Sequence, residues 1–181
     1  MVYVALLRGI NVGGKNKMDM KLLKQSFEHA GMNDVVTYIN SGNIIFTYNS
    51  GTKAKISNIL EESIQESFGL QIKVLVLDLK DMKIIMSSLP ESWTNDEKMK
   101  CDVHFLWDEI NNESVLDKLV IKPGIDTVKY VSGAILWSVS KQNVTKSGMT
   151  SIIGTDLYRQ TTVRNVNTTR KIYELMLASE K

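Results

Sequence analysis

Two segments far apart in the 181-residue chain carry one design. Residues 38–46 read Tyr-Ile-Asn-Ser-Gly-Asn-Ile-Ile-Phe, and residues 129–137 read Lys-Tyr-Val-Ser-Gly-Ala-Ile-Leu-Trp. In each, one apolar run approaches a Ser-Gly pair and another leaves it. Two residues between two such runs, one of them Gly, signal a tight β-hairpin. Each hairpin is preceded by a strand and a helix and followed by a further helix. A chain with this internal repeat folds as two related α+β subdomains.

The first half gives the clearer pattern. Val2–Leu7 is a continuous apolar run, as in a strand buried on both faces. A polar, Gly-rich loop follows from Arg8 to Lys17. Met20, Leu23, Phe27 and Ala30 then recur at helical spacing, and Gly31 closes that helix. Val35–Asn40 and Asn43–Tyr48 are the hairpin strands around Ser41-Gly42. Ile56, Ile59, Leu60, Ile64 and Phe68 mark a second helix ended by Gly69, and Ile72–Leu77 is a fourth strand. The order β-α-β-β-α-β is the ferredoxin-like split unit. The expected fold is therefore α+β, with two ferredoxin-like (βαββαβ-related) subdomains on antiparallel or mixed sheets.

Residues 79–100 read as a connector between subdomains at 1–78 and 101–181. Asp78 is placed to cap a helix whose stripe is Leu79, Met82, Ile85, Met86 and Leu89, and Pro90 stops it. Residues 91–100 are polar. In the second half, Cys101, Val103, Phe105 and Trp107 alternate with Asp102 and His104, predicting a strand with one buried face and His104 on the open one. Asn112–Val120 is a short helix, and Thr127–Val131 and Ala134–Ser140 flank Ser132-Gly133. Residues 141–166 are polar and broken by glycines. A last helix is expected to start with Asn167 as its N-cap.

Composition removes several function classes. One Cys and two His, His29 and His104, exclude an internal disulfide, a thiolate zinc cluster and a His-rich metal site. No apolar stretch is long enough to span a bilayer. The Val2–Leu7 run stops at Arg8 and is too short for a signal-peptide core, so a cytoplasmic location is expected. No nucleophile elbow is present. Ser138-Val139-Ser140-Lys141 matches S-x-x-K but lacks the partner motifs. Cys101 begins a strand on its apolar face and reads as a small buried residue. No reaction and no cofactor emerge from the residues.

Ligand chemistry concentrates in three segments. The first is Arg8-Gly9-Ile10-Asn11-Val12-Gly13-Gly14-Lys15-Asn16-Lys17. It holds three cations and no acid, and its glycines let backbone N–H groups turn towards an anion at the start of a helix. Gly9, Gly14 and Lys15 match three positions of a P-loop, but Asn16 stands where magnesium chemistry needs Ser or Thr. The second is Asn40-Ser41-Gly42-Asn43, whose amides suit either turn capping or a polar ligand. The third runs from Thr161 to Lys171, where Arg164-Asn165 goes beyond what a capped helix start requires. Residues 141–171 carry six basic residues and only Asp156 on the acidic side, whereas 79–110 carry four basic and seven acidic. The formal charge of +2 thus sums an acidic middle with two basic segments.

The stretch Tyr3 to Asn16, followed by Thr37-Tyr38-Ile39-Asn40-Ser41-Gly42-Asn43-Ile44-Ile45-Phe46, resembles the bacterial family called domain of unknown function 1697. Arg164-Asn165-Val166-Asn167-Thr168 is similar to that family's late Arg-Asn-Trp-Asn-Thr motif, with Val166 in place of the usual Trp. The resemblance covers essentially the whole chain. It implies a two-subdomain, ferredoxin-related α+β fold, and no established reaction or substrate.

These readings lead to one principal expectation. A small anionic ligand is bound between the subdomains by Arg8, Asn11, Gly13, Gly14 and Lys15, with Asn40, Ser41 and Asn43 beside them and Arg164, Asn165 and Asn167 opposite. Two rivals stand against it. In one, ferredoxin-like sheets present aromatics to nucleic-acid bases, although no RNP1-like string occurs. In the other, the motifs only shape turns in a structural or interaction protein.

Overall fold

Every residue of Val2–Leu7 is buried, and this segment forms strand β1 at the centre of the first sheet. The structure is a computed structural model and describes residues 1–180. The chain divides into two units, Met1–Met82 with the residues from Ile172 onward, and Lys83–Lys171. Each is described by itself.

In the first unit, β1 is followed by α1 (Met20–His29), β2 (Asn33–Tyr38), β3 (Asn43–Thr47), α2 (Lys53–Phe68) and β4 (Val74–Asp78). The sheet order is β2-β3-β1-β4, and every pair is antiparallel. Helix α2 ends as its sequence dictates. Gly69 takes the left-handed conformation at φ +66° and returns its N–H to the Gln65 carbonyl. Leu23, Phe27, Ile56, Leu60 and Ile64 bring the apolar stripes of the two helices onto Ala5, Leu7, Ile44 and Phe46 of the sheet. Tyr3 stacks on Phe46 at 5.7 Å, and Phe27 meets Phe46 edge-on at 6.2 Å. The Ser26 hydroxyl joins α1 to α2 through Ser63 Oγ at 2.6 Å and Ser67 Oγ at 3.0 Å.

The hairpin loop between β2 and β3 is longer than the Ser-Gly pair predicts. Tyr38 pairs directly with Asn43, so Ile39, Asn40, Ser41 and Gly42 all belong to the turn. Asn40 is therefore a turn residue. Asn43 is the first residue of β3, and its buried amide donates to the Tyr38 carbonyl and to Ser41 Oγ, both at 3.0 Å.

Helix α3 (Leu79–Ser88) begins with a reciprocal cap. Asp81 N–H donates to the Asp78 carboxylate at 2.9 Å, and Asp78 N–H donates to that of Asp81 at 3.0 Å. The division between the units falls within α3 and within the last helix.

The second unit repeats the topology. Strand β5 (Met99–Leu106) leads through short 3₁₀ turns to β6 (Asp126–Val131) and β7 (Ala134–Ser140). Further 3₁₀ turns and α4 (Asp156–Arg159) lead to β8 (Thr161–Asn165), followed by α5 (Val166–Ala178). The order β6-β7-β5-β8 is that of the first sheet with each strand advanced by four, and all pairs are again antiparallel. Here Ser132-Gly133 is a two-residue turn, with Val131 paired to Ala134. The segments 38–46 and 129–137 thus occupy the same place in two sheets of one topology.

Three expectations are corrected in this unit. Residues 161–165 form β8, although their polar composition hides a strand. They pair with β5 as Leu106–Thr161 through Asp102–Asn165, at the edge of the sheet. The cap of α5 is Asn165, whose Oδ1 accepts from Thr168 N–H at 2.9 Å; Asn167 lies inside the helix. Finally, β5 is buried on both faces, so His104 is only 2% exposed. Leu106, Ile135, Trp137, Val139, Met149, Ile152 and Leu157 cover that second face. The His104 ring lies 5.8 Å from that of Trp137, and neither of its nitrogens has a hydrogen-bond partner. Burial lowers its pKa to about 4, against an opposing pull from the neighbouring Asp102 carboxylate.

Asp126 is the polar anchor of this unit. Its carboxylate accepts from Trp137 Nε1 at 3.1 Å, from Lys122 N–H at 2.8 Å, from Gly148 N–H at 2.9 Å and from the Ser147 hydroxyl. Partial burial opposes its ionisation, but these donors outweigh burial and hold the group below the ordinary carboxylate range.

Candidate functional site

The loop Arg8–Lys17 is a small hairpin erected on the end of β1. Lys15 N–H donates to the Val12 carbonyl at 3.0 Å, and Asn11 N–H to that of Asn16 at 3.1 Å. Gly13 and Gly14 occupy the two central turn positions at φ +58° and +76°, the geometry of a type I′ turn. This explains the Gly-Gly pair by backbone geometry alone. It also sets the tip out in solvent, where Val12 to Lys17 are all exposed.

Two asparagines lock the hairpin. Asn16 Nδ2 donates to the Gly9 carbonyl at 2.9 Å. The Asn11 side chain holds Met18 from both sides, accepting from its N–H at 2.8 Å and donating to its carbonyl at 3.1 Å. The same Asn11 amide donates to the Asn40 carbonyl at 2.8 Å. Both residues sit at positive φ, a conformation that Asn tolerates better than other side chains. The turn Ile39–Gly42 is thereby tied to the loop. Leu7 N–H donates to the Gly42 carbonyl at 2.9 Å, and a Cβ on Gly42 would stand 2.7 Å from Ile10 Cδ1.

A shallow depression of about 580 Å³ opens beside the tip, lined by Asn11, Gly14, Lys17, Met18, Asp19, Met20 and Asn40. The structure brings Asn11, Gly14 and Asn40 together there. Gly13 and Lys15 stand on the adjoining tip. Arg8 lies half-buried at the base of the loop, its N–H donating to the Lys73 carbonyl at 3.0 Å. Ser41 and Asn43 are taken up by the turn itself.

The helix that follows does not offer its N-terminus to an anion. Asp19 caps α1, accepting from Lys21 N–H at 2.8 Å and Leu22 N–H at 3.0 Å. A carboxylate is thus already seated at the positive end of the helix. The expectation of free N–H groups there is corrected. What remains for an anion is the hairpin tip and its cations. Lys15 and Lys17 have no acidic partner among the described residues.

The third segment lies in the second unit, where each side chain has a structural partner. Arg164 is 7% exposed and donates from Nη1 to Thr162 Oγ1 at 3.0 Å and to the Val163 carbonyl at 2.8 Å. Burial lowers its pKa to about 10, which leaves it charged at neutral pH. Asn165 caps α5, and Asn167 Nδ2 donates to the Asn95 carbonyl at 2.9 Å. Val166 is fully buried, so the position where the resembling family carries Trp is a core position here.

Other reactive groups are likewise accounted for. Cys101 is buried, its thiol donating to Ser138 Oγ at 3.1 Å, and burial raises its pKa. Among the described residues no group of three or more His, Cys, Asp or Glu is placed to hold a metal, and no helix is long and apolar enough to cross a membrane.

The sequence signals for Asp19 and Asn16 were available. Asp19 directly precedes an amphipathic stripe, the usual place of an N-cap. Asn16 adjoins a Gly-Gly pair, where side-chain locking of a turn is common.

Comparison with known proteins agrees with this architecture. The family described as Protein of unknown function (DUF1697) matches residues 1–137. The chain belongs to this family. It is also similar to a solved structure, a conserved bacterial protein from Streptococcus pneumoniae, with 30% identity and a TM-score of 0.82 over 97% of this chain and 98% of that one. No curated protein matches. The loop Arg8–Lys17 and the turn Ile39–Gly42 both lie within the part of the chain that the family match covers.

Proposed function

We propose that this DUF1697 protein is a binding protein that engages an anionic ligand, phosphate- or carboxylate-bearing, through the basic hairpin Arg8–Lys17. The observation that carries this reading is a hydrogen-bonded hairpin tip with two cations that lack an acidic partner. Lys15 and Lys17 have no acidic partner, and Gly13 and Gly14 have no hydrogen bond for their N–H groups among the described residues. Asn11 and Asn16 hold that tip in one conformation before any ligand arrives, which lowers the ordering cost of binding. The reading uses the first unit alone, because Arg164, Asn165 and Asn167 are each committed to partners in the second.

The reading in which sheet aromatics stack on bases would have to rest on the edge strands, where Tyr38 and Tyr130 are half-buried. Tyr3, Phe46, Phe105 and Trp137 on the inner strands are all buried.

The test is a titration of the full chain with tripolyphosphate, followed by backbone amide resonances. Saturable shifts of Gly13, Gly14 and Lys15, weakened by salt and lost in Lys15→Ala/Lys17→Ala, are the expected outcome. Amides that do not move, or that move equally in the double variant, overturn the reading.

A further inference from the structure

Among the described residues, Ile39 is the one β-branched residue held at positive φ, at +49°. That conformation is a steric outlier for a branched side chain, and turns normally place Gly or Asn there. Burial does not compensate it, because Ile39 is 48% exposed. Gly42 in the same turn and Asn40 next door are residues that suit such geometry. The branched side chain at 39 is thus accounted for neither by turn geometry nor by burial.

A second exposed apolar side chain adjoins the residue that ties the hairpin to this turn. Val12, on the hairpin tip, is 65% exposed. Val12 follows Asn11 and Ile39 precedes Asn40, and the Asn11 amide donates to the Asn40 carbonyl at 2.8 Å. The two exposed apolar residues thus flank one hydrogen bond. Lys15 and Lys17 stand on the same hairpin. The result is a small surface with apolar points and positive charge, on a backbone fixed by the Asn11 and Gly42 contacts.

The depression beside it is shallow, and the tip residues Val12 to Lys17 are exposed. A small-molecule site buries most of its ligand, which this surface does not do. A flat or extended macromolecule covers such a surface, and its charge must be complementary. We infer that the hairpin tip and the Ile39 turn together dock an acidic segment of a partner protein that also carries an apolar anchor side chain. Carboxylates of the segment meet Lys15 and Lys17, and the anchor packs on Ile39 and Val12. The inference rests on the anion-binding reading and names the partner for that site.

The experiment pans a phage-displayed peptide library against the full chain and measures the selected peptides by fluorescence anisotropy. Selected peptides combine acidic residues with a branched or aromatic apolar residue. Ile39→Asn weakens them about tenfold, as expected for loss of an interface anchor. Asn accepts positive φ, so this variant keeps the turn, and its amide shifts with tripolyphosphate match the wild type. Lys15→Ala/Lys17→Ala weakens both ligands. Peptides without acids or without an apolar anchor, peptides indifferent to Ile39→Asn, or no selection at all overturn the docking inference. So does an oligonucleotide that competes them away equally in wild type and Ile39→Asn, or self-association through this surface in sedimentation. If tripolyphosphate shifts Gly13 and Gly14 while these outcomes hold, only the docking inference falls. If tripolyphosphate has no effect either, the anion-binding reading falls with it.

Discussion

The Asn11 side chain donates to the Asn40 carbonyl at 2.8 Å and clasps both the N–H and the carbonyl of Met18. One amide group thus joins the basic hairpin, the start of α1 and the β2–β3 turn. The joint sets the geometry of the surface on which both functional proposals rest.

Asn11→Ala removes three hydrogen bonds and puts a side chain that disfavours positive φ at +53°. The expected cost is about 2 kcal/mol, since the two partly buried bonds contribute about 1 kcal/mol or less each and the exposed one less. In a chain of this size that corresponds to a loss of roughly 4–8 °C in Tm. Asn11→Gly restores the backbone freedom but not the bonds, and should recover only part of the loss. Equal melting curves for wild type and Asn11→Ala would show that the amide joint is energetically idle.

Two glycines of the same region separate space from backbone conformation. Gly14 and Gly42 both have positive φ, at +76° and +83°. A Cβ on Gly14 meets nothing within 4 Å, whereas one on Gly42 stands 2.7 Å from Ile10 Cδ1 and 2.8 Å from Leu7 Cβ. Gly14→Ala is expected to cost about 1 kcal/mol, from φ alone. Gly42→Ala adds a clash with the core strand end, for a total of about 3 kcal/mol. Denaturant midpoints of the two variants check the order, and reversal of that order refutes the packing argument.

The architecture was legible in the sequence because the two halves announce it with the same signals. Gly31 and Gly69 end helices and Asp78 caps one, and Ser132-Gly133 makes the two-residue turn that its flanking strands predict. What was hidden depended on long-range pairing. Thr161–Asn165 is too polar to read as a strand, and becomes one only because β5 offers it an edge. His104 alternates with apolar neighbours, so local pattern places it outside; the Trp137 ring and the cluster beside it draw on residues far along the chain, Met149, Ile152 and Leu157 among them. The site was half legible. Residue types singled out Arg8–Lys17 and Asn40–Asn43, but only the folded backbone decides which amides hold the turn and which groups stay free for a ligand. Ile39 gave no signal, since its φ is not written in its chemistry.

Asp126 gathers four donors from β7, the Ser147-Gly148 turn and its own approach loop. Asp126→Ala leaves those donors unpaired around a buried Trp137 and should cost about 3 kcal/mol. Denaturant midpoints of the variant and the wild type measure the loss. The native Asp126 carboxyl is held below the ordinary range, so its contribution is present above that range and is lost as pH falls through the lowered value. A variant as stable as wild type would remove Asp126 from the account of this unit.

His104 gives an acid sensitivity of the same sign, and its window lies nearer neutrality. In the native state the ring takes its proton only at about 4, against 6.5 in the unfolded chain, because burial without a hydrogen-bond partner penalises the cation. Between those values the unfolded state binds more protons, so stability rises with pH across the window and levels off above it. The full span corresponds to on the order of 3 kcal/mol. Asp102, which favours the cation, is neutralised in part by its ion pair with Lys100 at 3.1 Å. Chemical denaturation of wild type and His104→Phe at a series of pH values isolates this contribution from that of the carboxylates. The wild type should lose stability relative to the variant as pH falls from 6.5 towards 4, and the two should run parallel above 7. Parallel profiles over the whole range would mean that His104 finds a proton acceptor in the folded state.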